Sequence, residues 1–251
     1  MNKIRISAVK YANTYPFIFG LTESGFDKKV IIETDHPADC AAKLIAGKVD
    51  IGLIPVATLP LLKEYYIISD YCIGAYGNVR TVMLLSNCPF EKIKTIYLDY
   101  RSCSSVNLTK VLAKNSWKRE FIWVNTSKGF DFRNIGLDEA VVLIGDQCFE
   151  YESSFRYRID LAMSWKEFTG LPFVFACWTA NKILPEDFIS EFNKALLTGV
   201  KNIDSVVEKF GKTGTIKGNE LKEYLTNNID YNFNDDKKKA LKMFLELISK
   251  L

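Results

Sequence analysis

The chain has 251 residues, 48% of them apolar and 25% charged, with a net charge of +3. That is the composition of a globular protein of one large or two smaller domains, and so small a net charge does not indicate a nucleic-acid partner. No apolar run reaches the length of a signal peptide or a membrane span, so a cytoplasmic protein without a membrane partner is expected.

Ile4 to Ala8 alternates as a first strand. It runs into Asn13-Thr14, and Pro16 then opens a short apolar segment ending at Leu21. A polar strand end followed by a helix N-terminus is where an α/β sheet offers unpaired N–H groups to a ligand. The same residues also fit a plain turn, with Asn13 or Thr14 capping the helix. Val30 to Glu33 reads as a second strand. Pro37 opens a helix with Ala38, Ala41, Ala42 and Ile45 on one face, and Gly47 ends it. His36, the only histidine, precedes that helix and is expected at a surface capping position. Asp50 to Val56 is a short buried strand, so the opening pattern is β-α-β-α-β and predicts a parallel sheet.

Val56 to Leu62 reads as a short helix, and Tyr66 to Ser69 and Tyr71 to Gly74 as strand candidates. After the turn at Gly74 to Asn78 comes an apolar strand from Thr81 to Leu85, expected to be buried on both faces. Ser86 to Pro89 breaks it, and the pattern restarts. Strands are expected at Thr95 to Leu98, Glu120 to Val124 and Ala140 to Ile144, with a helix from Ser104 to about Asn115. Leu161-Ala162 reads as a possible short strand, Trp165 to Phe168 as a short helix, and Pro172 to Ala176 as an apolar strand running into Trp178. Helices follow from Pro185, from Glu220 to about Asn227, and from Asp235 to Leu251. Lys237 to Lys239 reads as a solvated charge run.

The fold class expected from this order is α/β: two lobes joined by two crossings, with a helical C-terminal tail. Residues 1–86 with 178–251 form one expected lobe and residues 87–177 the other, and the ligand cleft lies between them.

Several strand ends carry candidate chemistry. Asn13 and Thr14 are the first. Gly77 to Thr81 offers backbone amides and Arg80 to a carboxylate, or is a simple turn. Asp99 to Ser105 has three serines in four positions before a helix, more hydroxyls than capping needs and well suited to an anion. Ile144-Gly145-Asp146 is a further strand end with a carboxylate. The six cysteines have no C-x-x-C pair and read as free thiols. Cys103 is a poor nucleophile candidate with no second histidine to activate it. One histidine also excludes a histidine-rich metal site, so no metal is expected. Gly211-Lys212-Thr213-Gly214 lacks the upstream glycine of a phosphate loop, because position 206 is Val206. No cofactor is expected.

Taken together, these segments resemble a known family. Tyr11-Ala12-Asn13-Thr14-Tyr15-Pro16-Phe17 resembles the Y-L-N-T-x-P-L/F signature of the chorismate dehydratases of the futalosine route to menaquinone. Asp50 to Val56 is similar to the family's D-x-G-L-I-P-V, Gly77 to Val82 to its G-x-V-x-S-V, and Ser102 to Val106 to its S-R-T-S-V. Ile144 to Asp146 and Thr169 to Trp178 match its I-G-D and T-G-L-P-F-V-F-A-x-W. The motifs occur in order over roughly residues 3 to 180. The resemblance implies a type II periplasmic-binding-protein fold and the dehydration of chorismate, a small-molecule substrate, to 3-[(1-carboxyvinyl)oxy]benzoate. It implies Asn13 at the reacting centre, with Thr81, Ser104 and Ser105 holding carboxylates. Thr14, Arg80 and Asp146 join them as candidate substrate contacts. Two positions depart from the pattern: Cys103 stands where the family has Arg, and Thr81 where it has Ser. Arg80 or Arg101 is the candidate for the missing charge. The alternatives are a non-catalytic solute-binding protein for a small carboxylate and the sister 1,4-dihydroxy-6-naphthoate synthase. The sister family uses a histidine as base, and His36 matches no such position.

Overall fold

A computed structural model describes residues 3–212 and 214–251 and divides its strands between two sheets. Met1, Asn2 and Thr213, the last within the Gly-Lys-Thr segment, lie outside the described residues. The chain opens with β1 (Ile4–Val9), α1 (Tyr15–Glu23), β2 (Val30–Asp35), α2 (Pro37–Ile45) and β3 (Ile51–Pro55). β1 pairs in parallel with both β2 and β3, as the alternation of strands and helices predicts.

β4 (Tyr66–Ala75) is a single strand of ten residues rather than two short ones. The chain then crosses to a second sheet. That sheet holds β5 (Val82–Ser86), β6 (Thr95–Leu98), β7 (Ile122–Asn125), β8 (Glu139–Ile144) and β9 (Tyr157–Asp160), in the order β7-β6-β8-β5-β9. Helices α3 (Ser104–Leu112), α4 (Gln147–Tyr151) and α5 (Leu161–Thr169) accompany it. Leu161 and Ala162 open α5 instead of forming a strand, because the Asp160 carboxylate accepts the N–H groups of Ala162 and Met163 and caps the helix.

β10 (Phe173–Ala180) brings the chain back to the first sheet, where it lies antiparallel between β3 and β4. The tail adds α6 (Glu186–Lys201), α7 (Ile203–Phe210), α8 (Gly218–Glu223), β11 (Asp230–Asn232) and α9 (Asp235–Ile248). The first sheet has the order β11-β4-β10-β3-β1-β2 and is therefore mixed, not wholly parallel.

The sheets correct the expected lobe limits. β5 belongs to the second sheet, so the first crossing is at residues 76–81 and not at Ser86. The Ser86–Pro89 break only ends β5, with the Ser86 hydroxyl closing a turn onto the Cys88 carbonyl at 2.8 Å. The return precedes Phe173 and not Trp178, because β10 pairs with first-sheet strands along its whole length.

Alternation along β5 and β8 divides the second sheet's faces. Val82, Leu84, Val142 and Ile144 join the main core, while Met83, Leu85, Val141 and Leu143 pack with Phe132, Cys148 and Phe155 on the other side. Lys237 departs from the expected solvated run. It is fully buried, and its ammonium bonds the carbonyl of Asn232 at 2.7 Å and the Asp230 carboxylate at 2.9 Å. No helix among the described residues is long and apolar enough to cross a membrane.

Candidate functional site

Strand ends and turns of both sheets meet at one cavity. Val9, Tyr11 and Asn13 come from the end of β1, Pro55 from β3, and Ile73, Phe175 and Ala176 from β4 and β10. The crossing contributes Val79 and Thr81, and the second sheet side contributes Val82, Ser102, Ser104, Ser105, Ile144 and Gly145. The space open to the centre of a water-sized sphere is about 50 Å³. That is small beside the usual range for drug-sized ligands.

Asn13 is buried on a 3-10 turn, Ala12–Thr14, between β1 and α1. Thr14 stands at the N-cap of α1, but its side chain makes no capping bond to the helix. The Thr14 hydroxyl donates to Asn13 Oδ1 at 3.2 Å, and Thr14 itself is fully buried behind the cavity wall. The Tyr231 hydroxyl donates to the Asn13 carbonyl at 3.0 Å. Thr81 lines the cavity with its Oγ1 2.8 Å from the Tyr224 hydroxyl.

The serine-rich turn contributes three lining residues. Ser102, not Ser104, provides the local turn bond, accepting the Ser105 N–H at 3.1 Å. Ser104 reaches across to the first sheet instead. Its Oγ donates to the Phe175 carbonyl at 2.8 Å and accepts the Ala57 N–H at 3.3 Å. Ser104 and Ser105 sit in the first turn of α3, where the unpaired N–H groups and helix dipole favour an anion.

Asp146 faces the first lobe without lining the cavity. Its two carboxylate oxygens lie 3.0 and 3.1 Å from the Ala12 N–H, so one side chain ties the end of β8 to the β1–α1 turn. Burial pushes its carboxyl up to about 6, partly offset by that N–H. Beside it, Gly145 has a φ of +72°, and a Cβ there would fall 2.6 Å from the Tyr11 ring. Glycine is thus what lets Tyr11 close against the second lobe.

The two arginines are placed elsewhere. Arg80 has a φ of +62°, and its N–H and that of Val79 both donate to Asp160 Oδ2 at 2.8 Å. This turn directs the guanidinium over Phe149 at 4.5 Å and toward Glu152 and Glu220, each 3.4 Å away. Arg101 is held by Asp99 through two bonds of 2.8 Å. Neither lines the cavity, and among the described residues no charged side chain does. His36 makes no capping bond. Its Nδ1 lies 3.3 Å from the Tyr11 hydroxyl, and burial, with help from Lys10 and Arg101, lowers its pKa. The Cys103 thiol is pushed up by burial and is therefore a poor nucleophile at neutral pH. No cluster of His, Cys, Asp or Glu suited to a metal occurs among the described residues.

Tyr224 and Tyr231 were not expected at the site. They lie in the tail, beyond every motif, and no residue near them in sequence signals contact with Asn13 or Thr81.

A family model described as menaquinone biosynthesis matches residues 4–250. Among curated proteins, a chorismate dehydratase of Thermus thermophilus is 24% identical over 266 aligned positions, covering 95% of this chain and 93% of the relative. A chorismate dehydratase of Campylobacter jejuni is 26% identical over 220 positions, covering 81% and 96%. Among solved structures, a protein of Archaeoglobus fulgidus superposes with a TM-score of 0.78 at 17% identity, covering 99% and 97% of the two chains. A Candida albicans protein described as having the generic periplasmic-binding-protein fold gives 0.69 at 12% identity, covering 100% and 91%. Two sheets exchanging strands around a cleft are that fold, and with the match running almost end to end, the chain belongs to the menaquinone-biosynthesis family.

Proposed function

We propose that this chain is a chorismate dehydratase, removing water from chorismate to give 3-[(1-carboxyvinyl)oxy]benzoate. The observation that carries the reading is convergence. Asn13, Thr81, Ser104 and Ser105, spread over more than a third of the chain, line one cavity between the two sheets. The lobes in this reading are residues 3–80 with 173–251, and residues 81–172.

The lining chemistry suits the reaction. In the elimination a ring C–H bond and the ring C–OH bond break, the proton and hydroxide leave as water, and the ring becomes aromatic. A base must lie within hydrogen-bond reach of the ring proton. The lining holds no imidazole, carboxylate or amine, so the reading gives that task to the substrate's own enolpyruvyl carboxylate, with the Asn13 amide orienting the reacting groups. The substrate carboxylates fall to Thr81, Ser105 and the first turn of α3, while Ser104, whose hydroxyl hydrogen goes to the Phe175 carbonyl, anchors that turn to the first sheet. Arg80 and Arg101, already paired with carboxylates, play no direct part.

The test is to mix purified protein with chorismate, follow loss of the diene absorbance, and weigh the product by mass spectrometry. A product lighter by one water, and a rate reduced by about a hundredfold or more in Asn13→Ala, is expected. A thermal shift with no change in chorismate would favour the solute-binding alternative. Asn13→Ala turning over at the wild-type rate would remove Asn13 from the reaction.

A further inference from the structure

The carbonyl of Asn13 stands at a gap in the local backbone ladder. In this turn the Thr14 N–H goes to the Tyr11 carbonyl and the Tyr15 N–H to that of Ala12, each three residues back. The next donor in the series would be the N–H at position 16, and Pro16 has none. α1 does not serve the carbonyl either, because Thr14 is its N-cap and a helix takes its first bond at the N-cap carbonyl. Asn13 is buried, so its carbonyl needs a partner from elsewhere in the chain. The partner is Tyr231, 218 positions away, whose hydroxyl lies 3.0 Å from the carbonyl oxygen. The carbonyl can only accept, so the phenol donates.

Tyr231 is itself braced. It is buried, and its ring packs edge-on against Phe17 of α1 at 5.2 Å. β11 pairs with β4 on either side of it, Asp230 opposite Gly74 and Asn232 opposite Tyr71. Lys237 of α9 closes the unit. Its ammonium bonds the carbonyls of Asp230 at 2.5 Å and Asn232 at 2.7 Å, the two neighbours of Tyr231, and the Asp230 carboxylate at 2.9 Å. A charge taken wholly out of water thus fixes a strand of three residues. On the other side, the Thr14 hydroxyl donates to Asn13 Oδ1 at 3.2 Å, so the side-chain amide takes its direction from the same turn.

We propose that Tyr231 is a positioning residue for the active site: its hydroxyl, braced by Lys237, holds the Asn13 peptide and with it the direction in which the Asn13 amide enters the cavity. The assignment rests on the dehydratase reading for its kinetic consequence, but not for its geometry. The C-terminal tail thereby acts on a cavity that it does not line.

Tyr231→Phe keeps the ring and removes only the hydroxyl. With chorismate, kcat is expected to fall by about tenfold or more while KM moves less than about threefold, because alignment and not binding is lost. Pro16→Ala restores an N–H where the ladder lacks one. Thr14 and Tyr15 both have helical backbone, with φ of −93° and −53°, which aims that N–H at the Asn13 carbonyl. In the Pro16→Ala background, Tyr231→Phe is therefore expected to cost less than about threefold in kcat. A tyrosine that acted only by packing would cost as much in either background, and that result overturns the proposal. So does an unchanged kcat in Tyr231→Phe, or a rise in KM alone. If Tyr231→Phe does not fold, the double variant decides: folded and within about threefold of Pro16→Ala it supports the tether, and unfolded it overturns it. Independently of turnover, the Asn13 side-chain amide pair in a 15N spectrum, assigned by its disappearance in Asn13→Ala, is expected to shift or broaden in Tyr231→Phe. Wild-type protein that leaves chorismate untouched overturns the dehydratase reading instead. In that case an unmoved amide pair still overturns the tether, and a moved pair supports it.

Discussion

Asp146 is a carboxylate used as a latch between lobes, and its environment makes that latch sensitive to pH. Burial raises its carboxyl to about 6, and the Ala12 N–H only partly offsets the effect. A carboxyl whose folded pKa lies above its unfolded value near 4 holds its proton more tightly when folded. Its contribution to stability is therefore present below about pH 4 and is lost as pH rises through about 6. Asp160 is also raised by burial, despite four backbone N–H groups, and adds to the trend in the same direction. Asp146→Asn is expected to flatten the fall in Tm between pH 4 and 7 by about 2–4 °C, measured by thermal unfolding across that range. That Asn13, Thr81, Ser104 and Ser105 meet at one cavity follows from motifs that lie at strand ends, where an α/β sheet presents its ligand groups. Arg80 was misleading for a physical reason. Its motif is in place, but the left-handed backbone at Arg80 sends the guanidinium to Phe149 and two glutamates. Tyr224 could not be read at all, because a lone buried tyrosine in a helical tail looks like core until the fold brings it to Thr81.

The opening element depends on an unusually close helix contact. α1, which follows directly from the Asn13 turn, crosses α6 where Gly20 faces Gly199. A Cβ on Gly199 would lie 1.6 Å from the Pro16 carbonyl oxygen, and one on Gly20 would lie 2.0 Å from that of Ala195. No side-chain rotation relieves a clash with backbone, so the helices would have to part. Gly199→Ala is expected to destabilise the protein by about 1–3 kcal/mol in denaturant titration. The elements most clearly written in the sequence were those with one strong period, such as β1, α2, α6 and α9. Those that were missed are short or set by distant partners. β9 and β11 have four and three residues, too few to show a period, and each exists through pairing with β5 or β4. Buried Lys237 follows the same logic. A run of three lysines reads as surface, but Lys237 faces β11 and is held there by Asp230 and the Asn232 carbonyl.

At the scale of the whole molecule, two sheets share one chain that leaves the first sheet before it is finished. The lobe order was legible because each half repeats a strand-helix pattern. The crossings were not, because turn residues mark the end of a strand without saying which sheet comes next. β10 lies between β3 and β4, and among the described residues β4 pairs otherwise only with β11. Every partner of β4 is thus made after residue 172. During synthesis, β4 leaves the ribosome with no strand to join and must wait for β10, by which time the second sheet, whose strands all fall within residues 82–160, has been made in full. The inserted lobe is expected to fold first and the outer lobe to wait for the chain's return. Nascent chains arrested with about 40 residues beyond Thr169 still inside or near the tunnel are expected to protect β5 and β8 from proteolysis while leaving β4 open. Protection of β4 at that length would reverse the order. The exposed interval also makes β4 the strand most vulnerable to wrong pairing, so vectorial synthesis, and not final stability, sets where this protein is most easily lost.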